Sequence, residues 1–348
     1  MSVLIVGGGL SGLTLADMLE REGRDYQLVE ARARFGGRIK TEHCGEGAFD
    51  MGPAWFWPGQ PRIAALIKDH RLAAFEQYAR GDLLYEGPDG RVERGRGFAS
   101  MQGSLRLEGG LEKLTSRLAG GLSSQRIHLG KAVRALQKTE EGITAALQSG
   151  DVLEAKQVVL ALPPRIAATL HFDPPLPETM RNAMRDIPTW MAGHAKAIAI
   201  YDTPFWRDAR LSGDATSRHG PMVEIHDASP AMGGPYALFG FLGVPPEGRK
   251  DVPRLRQHIV AQLVRLFGDA AAAPRQLILK DWAFDPHTAT PLDHAPLYAH
   301  PSYRLPAALQ GIWHGRLLFA GTEAAPQFGG YLEGALEAAE NALHSLKT

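Results

Sequence analysis

The chain has 348 residues, of which 44% are hydrophobic and 22% charged, so it can bury the cores of two domains and does not belong to the disordered or fibrous classes. Lysine plus arginine equals aspartate plus glutamate at 38 each, so no overall positive field would attract nucleic acid or anionic lipid. Cys44 is the only cysteine, which excludes an internal disulfide, a CxxC redox pair and a thiolate zinc site.

The composition and the N-terminus also bear on location. The first apolar run begins directly after Met1, and no run reaches the roughly 18 apolar residues of a membrane span. A single cysteine fits a reducing compartment. We therefore expect a soluble, cytoplasmic protein with no membrane anchor. We expect no metal site, because the pairs His219/His226 and His294/His300 lack the i,i+4 spacing and carboxylate partners of metal ligands.

The beginning of the chain carries a nucleotide-binding pattern. SVLIVGGGLSGLTLADMLEREG contains an apolar run, the motif Gly7-x-Gly9-x-x-Gly12 and an amphipathic segment, in the order strand, turn, helix. Glycine lets the backbone approach a pyrophosphate, and Leu10 and Ser11 begin the helix whose unpaired N–H groups receive its charge. This pattern predicts a dinucleotide site. A glycine turn that serves only helix–strand packing is the alternative.

An acidic residue ends the second predicted strand. YQLVE finishes at Glu30, eighteen residues after Gly12. Its carboxylate is placed to accept hydrogen bonds from ribose hydroxyls, and it disfavours a 2′-phosphate. These residues do not distinguish NAD from FAD.

A second glycine turn follows this acid. EARARFGGRIKT places Arg32, Arg34 and Arg38 around the doublet Gly36 and Gly37. Guanidinium groups beside such a turn suit a pyrophosphate that stays bound. A solvated basic loop is the alternative.

The following segments extend the nucleotide domain. ALIKDHRLAAF predicts a helix, Gly81 to Gly103 predicts loops and short strands, and EGGLEKLTSRLAGGL predicts another helix. RIHLGKAVRALQ, GITAALQ and DVLEAKQVVLALPP predict strands, with a turn at Ser149-Gly150-Asp151. VVLAL is apolar throughout, as in a strand covered on both faces, and Pro163-Pro164 ends it.

The pattern changes between Arg165 and Leu309. HAKAIAIY, PMVEIH, YALFGFLG and QLILKDWAF predict strands, and VPRLRQHIVAQLVRLFG predicts a helix, which together indicate an α+β layer. RLLFAG then restores a continuously apolar strand. We predict an α/β fold with a Rossmann-like nucleotide-binding domain of discontinuous segments and an inserted α+β substrate domain. The predicted bounds are 1–52, 104–165 and 310–348 for the first, and 53–103 and 166–309 for the second.

Five stretches together resemble the flavin amine oxidases, the FAD family that includes monoamine, polyamine and L-amino-acid oxidases. They are VLIVGGGLSGLTLADML…LVEARARFGGRI, FDMGPAWF, EGGLEKL, VVLALPP and LLFAGTEAAPQFGGYLEGALEAAENAL. The resemblance spans the chain, although the central layer matches loosely. It implies that the last stretch passes against the isoalloxazine ring and that a helix starting near Tyr331 points its N-terminus at the flavin N1–C2=O edge. A helix N-terminus stabilises an anion by roughly 0.3 to 2 kcal/mol.

The resemblance also implies which residues hold FAD. Glu30 and Arg32 hold the adenosine ribose region, Arg38 and the glycine turn hold the pyrophosphate, Val133 meets the adenine through its backbone, and Glu323 lies by the ribityl–pyrophosphate portion. FAD is expected to be non-covalent, because TATPLDHAPLYAHPSYRLPAAL lacks the cysteine that tethers it in monoamine oxidases. The full expected set is Gly7, Gly9, Leu10, Ser11, Gly12, Glu30, Ala31, Arg32, Gly36, Gly37, Arg38, Gly52, Pro53, Ala54, Val133, Ala161, Gly321, Thr322, Glu323, Gly330, Tyr331 and Leu332.

Lys196, in HAKAIAIYDTPFW, is the first candidate for chemistry. Strand alternation puts it on one face with His194, Ile198 and Ile200, so its ammonium must either reach water or occupy a site. From spacing alone, an edge-strand lysine that extends to solvent is the alternative. The resemblance implies a lysine that bonds a water next to flavin N5.

Three aromatic residues complete the expected catalytic set. Tyr331 matches an aromatic that walls one side of the amine channel, where its face favours an incoming amine. Trp55 and Trp282 match positions where the family uses aromatics near the substrate, although core packing explains either tryptophan equally well. The second aromatic of the cage stays open among Tyr298, Tyr303 and no residue.

The expected reaction is oxidation of an amine to an imine, by hydride transfer to flavin N5 and reoxidation by O2 to H2O2. It needs no strong general base, and the sequence indicates none. No arginine is placed by motif to clamp an α-carboxylate, so amines are favoured over amino acids. The alternatives are a desaturase or isomerase of an apolar substrate and a non-catalytic flavin-bound protein. Since many members of the family form dimers, a homodimer is a further expectation.

Overall fold

The computed structural model describes residues 2–346, and the following bounds refer to that range. The strands are β1 (Val3–Val6), β2 (Tyr26–Glu30), β3 (Thr41–Cys44), β4 (Gly47–Asp50), β5 (Ala74–Glu76), β6 (Asp82–Glu86), β7 (Val92–Arg94), β8 (Leu105–Leu107), β9 (Ile127–Leu129), β10 (Val133–Lys138), β11 (Ile143–Leu147), β12 (Val152–Ala155), β13 (Gln157–Leu160), β14 (His171–Asp173), β15 (Ala195–Tyr201), β16 (Leu211–Ser217), β17 (Met222–Asp227), β18 (Tyr236–Leu242), β19 (Gln276–Asp281) and β20 (Leu317–Phe319). The α-helices are α1 (Leu10–Arg21), α2 (Pro61–Asp69), α3 (Glu112–Gly120), α4 (Pro164–Ala167), α5 (Glu178–Asp186), α6 (Phe205–Asp208), α7 (Val252–Phe267) and α8 (Leu332–Ser345).

A five-stranded parallel sheet organises the nucleotide half. Its order is β20-β13-β1-β2-β9, so a strand from the end of the chain lies in the same sheet as the first strand. Val3 and Ile5 on β1 pack into a core with α1, α3 and α8, whereas Leu4 and Val6 point into the core on the opposite face. Burial on both faces explains why these strands are continuously apolar.

The second half is built on a seven-stranded mixed sheet. Its order is β19-β15-β18-β17-β16-β6-β7, which joins strands from residues 82–94 to strands from residues 195–281. Ala197 and Ala199 of β15 share a core with helix α7, and Ile198 and Ile200 share another with the end of β4. The α/β class and the discontinuous arrangement are confirmed. The domain bounds stay a prediction. They group residues 53–103 with residues 166–309, and the seven-stranded sheet contains strands from both ranges.

One predicted helix was placed wrongly. ALIKDHRLAAF was predicted to be helical, but α2 begins earlier, at Pro61, and ends at Asp69, and Ala74–Glu76 forms β5. Proline at the first helical position is pre-organised for a helix start. Arg71 has φ of 52°, a left-handed conformation that reverses the chain after the helix. The apolar residues beyond it therefore pair as a strand.

Gly12 is required by packing between α1 and the turn before it. A Cβ added at Gly12 would lie 1.9 Å from the carbonyl oxygen of Gly7, an atom of the backbone that cannot rotate away. Gly7 itself has φ of 111°, which favours glycine. The predicted glycine motif thus has a packing role that does not depend on a ligand, in addition to any role in ligand binding.

We predict that Gly12→Ala lowers the free energy of unfolding by about 1 to 3 kcal/mol or more, because overpacking here acts against backbone. Gly120→Ala is the matched control, since a Cβ at Gly120 in α3 meets no atom within 4 Å. Alanine there is expected to be neutral or stabilising by up to about 1 kcal/mol. Urea unfolding of both variants measures the difference, and equal stabilities would contradict the packing argument.

Candidate functional site

The two predicted glycine turns meet at the N-terminus of α1. The Gly36 N–H donates to the Gly8 carbonyl at 2.9 Å, and Gly9 pairs with Gly36 as a β-bridge. No side chain caps α1 at Gly9. Apart from its chain neighbours, the nearest atom to a Cβ added at Gly9 would be the Gly36 carbonyl oxygen at 3.9 Å, so the turn leaves room for a small group there. Uncapped N–H groups with such room beside them suit a phosphate group.

Glu30 lies buried at the end of β2, beside this helix N-terminus. Its Oε2 accepts the Gly8 N–H at 2.7 Å, and its Oε1 accepts the Arg32 N–H at 2.8 Å. The Arg32 guanidinium donates to Asp285 and, at 2.9 Å, to Thr288 Oγ1. Arg32 therefore ties the nucleotide half to the segment after β19, and Glu30 keeps its orientation through backbone N–H groups.

Arg34 holds the second glycine turn from inside. It donates to the carbonyls of Phe35, Gly37 and Ile39 at 2.8 to 2.9 Å. Burial lowers the pKa of its guanidinium. Sequence analysis grouped Arg34 with arginines that face a pyrophosphate, whereas the structure gives it the role of fixing the turn.

Arg38 and Glu323 form an ion pair below the two turns. Arg38 Nη1 lies 2.8 Å from Glu323 Oε1, and the Glu323 side chain is fully buried. Despite this contact, neither carboxylate oxygen receives a well-aligned hydrogen bond within residues 2–346. A buried carboxylate without aligned donors is costly, so hydroxyl groups of a bound molecule would complete its hydrogen bonding. These orphaned oxygens show that the site fits a polar cofactor.

The C-terminal segment brings the start of α8 to the same place. The Ser11 hydroxyl on α1 donates to the Ala320 carbonyl, which joins the two ends of the chain. Thr322 Oγ1 accepts the Gly330 N–H at 3.0 Å and donates to the Tyr331 carbonyl at 2.9 Å. Gly330 has φ of 85°, and Tyr331 caps α8 without a side-chain hydrogen bond.

The other predicted cofactor residues lie along these segments. A Cβ on Gly7 would lie 2.6 Å from the Ala161 carbonyl oxygen, and one on Gly321 would lie 2.3 Å from the Leu162 carbonyl oxygen, so those chains are in contact. Ala31 lies between Glu30 and Arg32, Gly37 follows Gly36, and Leu332 begins α8. Gly52, which Pro53 and Ala54 follow, contacts the Arg38 backbone. Val133 starts β10. It lies two residues after Lys131, whose N–H donates to the Glu30 carbonyl.

Lys196 is buried on β15, an interior strand of the seven-stranded sheet. β15 lies between β18 and β19, so the alternative of an edge-strand lysine reaching solvent is wrong. Its ammonium donates to the carbonyls of Asp50, at 2.7 Å, and Gly52, at 3.2 Å, and lies 4.0 Å from the centre of the Phe239 ring. Burial lowers the pKa of Lys196 to about 7.

The two predicted tryptophans have different surroundings. Trp55 lies with its ring centre 5.8 Å from Lys196 Nζ and donates from Nε1 to Gln77 at 2.9 Å. Trp282 is buried and donates to the Met51 carbonyl at 3.0 Å. Trp282 thus supports the segment that contacts Lys196.

A polar cluster missed by sequence analysis lies behind Trp55. The His226 ring packs 5.2 Å from Trp55 and hydrogen-bonds Asp214 at 2.8 Å and Glu224 at 3.0 Å. Burial favours neutral imidazole, but the hydrogen bonds to the two carboxylates outweigh it and raise the pKa of His226. These three side chains line a cavity of about 130 Å³ together with Ser100. Spacing in sequence gave no signal, because the cluster forms across neighbouring strands.

The partner of Tyr331 is a histidine. The His300 and Tyr331 rings stack with centroids 4.7 Å apart and planes inclined by 13°. Tyr298 is 97% exposed, and the buried Tyr303 donates its hydroxyl to the Pro188 carbonyl at 2.8 Å. Neither tyrosine left open by the sequence is stacked on Tyr331. His300 lies in the stretch where a second aromatic was sought, but only tyrosines were considered.

Two absences hold for the part of the chain that the structure describes. Residues 2–346 contain no group of three or more His, Cys, Asp or Glu side chains able to hold a metal ion. No helix in that range is long and apolar enough to cross a membrane.

These features define a dinucleotide-binding oxidoreductase, and comparison with known proteins gives its family. NAD(P)-binding Rossmann-like domains match residues 5–69. The flavin containing amine oxidoreductase family matches residues 81–342, more than half of the chain. The chain therefore belongs to that family, and its cofactor is FAD.

Relatives and solved structures match along almost the whole chain. Amine oxidase [flavin-containing] B of Cavia porcellus is 26% identical, over 98% of this chain and 85% of its own. An L-amino acid dehydrogenase of Synechocystis is 22% identical, over 99% and 94%. A structure of putrescine oxidase bound to putrescine has a TM-score of 0.83 at 20% identity, covering 99% of this chain and 98% of its own. At that identity the structural likeness shows the fold alone.

We predict that Lys196→Met changes how stability depends on pH. The folded protein releases this proton near pH 7, whereas the unfolded chain keeps it to about pH 10.5. The unfolded chain therefore binds more protons between these values, and stability gains up to about 1.4 kcal/mol per pH unit from this group as pH rises. Unfolding of Lys196→Met at pH 7, 8 and 9 should show a slope lower by about that amount. The exposed Lys156→Met is the control, and an unchanged slope in Lys196→Met would contradict the prediction.

Proposed function

We propose that the protein is an FAD-dependent amine oxidase that converts an amine to an imine, with O2 as the final acceptor and H2O2 as a product. The observation that carries the proposal is the position of Tyr331. It presents a partly exposed aromatic ring, stacked on His300, at the N-terminus of α8, in the segment that contains the buried Glu323. An aromatic face attracts a cationic amine, which supports an amine-binding position beside the cofactor.

We propose that the residues around the α1 N-terminus hold FAD without a covalent bond. The glycine turns at Gly9 and Gly36 receive the pyrophosphate, Glu30 receives ribose hydroxyls, and Glu323 receives hydroxyls of the ribityl portion. Room for a small group at Gly9 and the orphaned Glu323 oxygens support these assignments. Bound FAD supplies the acceptor for the hydride equivalent, and O2 restores it. Cys44, the only thiol, is buried in β3, which supports non-covalent binding.

We propose that Lys196 acts as a hydrogen-bond donor. Its donation to the Asp50 and Gly52 carbonyls fixes the group at the base of the segment that carries Trp55. We propose that it orients a water on the reacting side of the cofactor, while Trp55 and Trp282 wall the cavity and support this segment.

The proposed substrate class is a small amine without an α-carboxylate. The basic groups around the site support it: Arg32 is held by Asp285, Arg34 by backbone carbonyls and Arg38 by Glu323, so each is engaged away from a substrate carboxylate. The relative that is named an L-amino acid dehydrogenase makes amino acids the comparison to test. Cytoplasmic location and a homodimer stay predictions.

The test is anaerobic mixing of the purified yellow protein with primary alkylamines, benzylamine and L-amino acids. We expect amines to bleach the flavin absorption bands and amino acids to leave these bands unchanged. H2O2 should form once O2 is admitted. Lys196→Met should retain FAD and slow reduction or reoxidation about tenfold or more, whereas Lys156→Met should match the wild type. A protein that binds no FAD, or a bound flavin that no amine reduces, would overturn the proposed function. Unchanged rates in Lys196→Met would remove only the role of Lys196.

A further inference from the structure

His300 places a titratable ring on the aromatic face that is proposed to receive the amine. With centroids 4.7 Å apart and planes nearly parallel, the His300 and Tyr331 rings are in direct contact. An amine between the two rings would need van der Waals contact with each of them. The rings already contact each other, so no amine fits between them in this arrangement. An amine that takes the Tyr331 face covered by His300 must therefore displace His300 and meet its ring.

The Nε2 atom of His300 is an unused polar group. It is buried and has no hydrogen-bond partner within residues 2–346. A Cβ added at Gly330 would lie 2.8 Å from it, so it lies against the backbone just before Tyr331. Buried polar atoms without a partner are uncommon in folded proteins, and such an atom beside a proposed ligand position indicates a contact made when the ligand is bound.

The chemistry of the proposed reaction leaves a proton to be accounted for. An alkylamine is protonated in neutral water, with a pKa of about 10 like that of a lysine side chain, but only the free amine can lose hydride from its α-carbon. Lys196 points its hydrogens at two carbonyl oxygens. The Glu323 carboxylate is paired with Arg38. Histidine is the side chain that ordinarily exchanges a proton between pH 5 and 8.

We propose that His300 is a catalytic base that deprotonates the substrate ammonium at the Tyr331 face. An N–H bond of the ammonium breaks, its electron pair stays on the amine nitrogen, and the proton forms an N–H bond with Nε2 to give imidazolium. The step is a proton transfer without any change in oxidation state. The inference rests on the proposed function and revises the expectation that the chain has no general base.

The rings that pack against His300 are uncharged aromatic side chains. Trp190, at 4.9 Å between ring centroids, carries no charge. Tyr303, at 5.7 Å, stays neutral because burial raises the pKa of its hydroxyl. Tyr331 supplies a phenol face, and the charged groups that act on the neighbouring Tyr303 are Glu323, Arg38 and Arg165.

The kinetic test compares the pH dependence of flavin reduction in the wild type, His300→Phe and His300→Tyr, which keep an aromatic face but remove the base. Reduction by sub-saturating benzylamine is measured anaerobically from pH 6.5 to 9.5. Without the base, reaction depends on free amine in solution, which falls about tenfold per pH unit below the amine pKa. We expect both variants to approach the wild-type rate at pH 9.5 and to be about 100-fold slower at pH 7. His43→Phe, at an exposed position on β3, is the control and should keep the wild-type profile.

A second test does not depend on turnover. tert-Butylamine has no hydrogen on the carbon beside nitrogen, so it cannot be oxidised. We expect saturating tert-butylamine at pH 8 to move one imidazole NMR signal of the FAD-bound protein to the imidazolium position, and that signal to be the one missing from His300→Phe. The proposal is overturned if the variants keep the wild-type pH profile, if they are slowed equally at every pH, or if no imidazole signal moves. If no amine reduces the wild-type flavin at any pH, the proposed function fails and the NMR result alone decides the proton transfer.

Discussion

The contact between the two ends of the chain determines where everything else lies. The turn after β1 can approach the segment after β13 only because Gly7 has no side chain, and the Ser11 hydroxyl at the start of α1 donates to the Ala320 carbonyl after β20. Helices α1 and α8 then pack side by side over the parallel sheet. Their N-termini lie at the same edge, so two uncapped sets of N–H groups converge on one region. The FAD of this family is a long, doubly charged molecule that requires such an extended polar site.

A layer of buried ionisable side chains lies between the two halves of the molecule. Lys196 lies between the sheet of the second half and the end of β4, and burial raises the pKa of the neighbouring Asp50 while it lowers that of Arg106. Arg106 donates to the carbonyls of Ala228 and Ser229, and Asp50 accepts from Thr41 and Leu111. Each buried polar group is thus held by backbone or by a partner side chain, as desolvation requires. This layer fixes the backbone at Asp50 and Gly52, ahead of Trp55.

The aromatic cluster is where the structure departs most from expectation. Neither Tyr298 nor Tyr303 stacks on Tyr331, because Tyr298 extends into solvent and the Tyr303 hydroxyl donates to a backbone carbonyl. His300 takes the position against Tyr331. Replacement of a phenol by an imidazole keeps a flat ring and adds a proton acceptor, which gives this chain a group that a pair of tyrosines would lack.

The sequence by itself determined the elements whose signal is local. Side-chain patterns placed α1 and α7, the family resemblance placed α8, continuous apolar runs placed β1, β13 and β20, and the glycine spacing indicated the dinucleotide site. The start of α2 was missed because Pro61 and the left-handed Arg71 moved both helix ends. Only the tertiary structure decided the rest: that Lys196 lies on an interior strand, that Arg34 braces its own turn, and that His226 and His300 lie beside the proposed aromatic walls. Those positions depend on strand order and on contacts between residues far apart in the chain, and a local pattern of side chains carries no information about either.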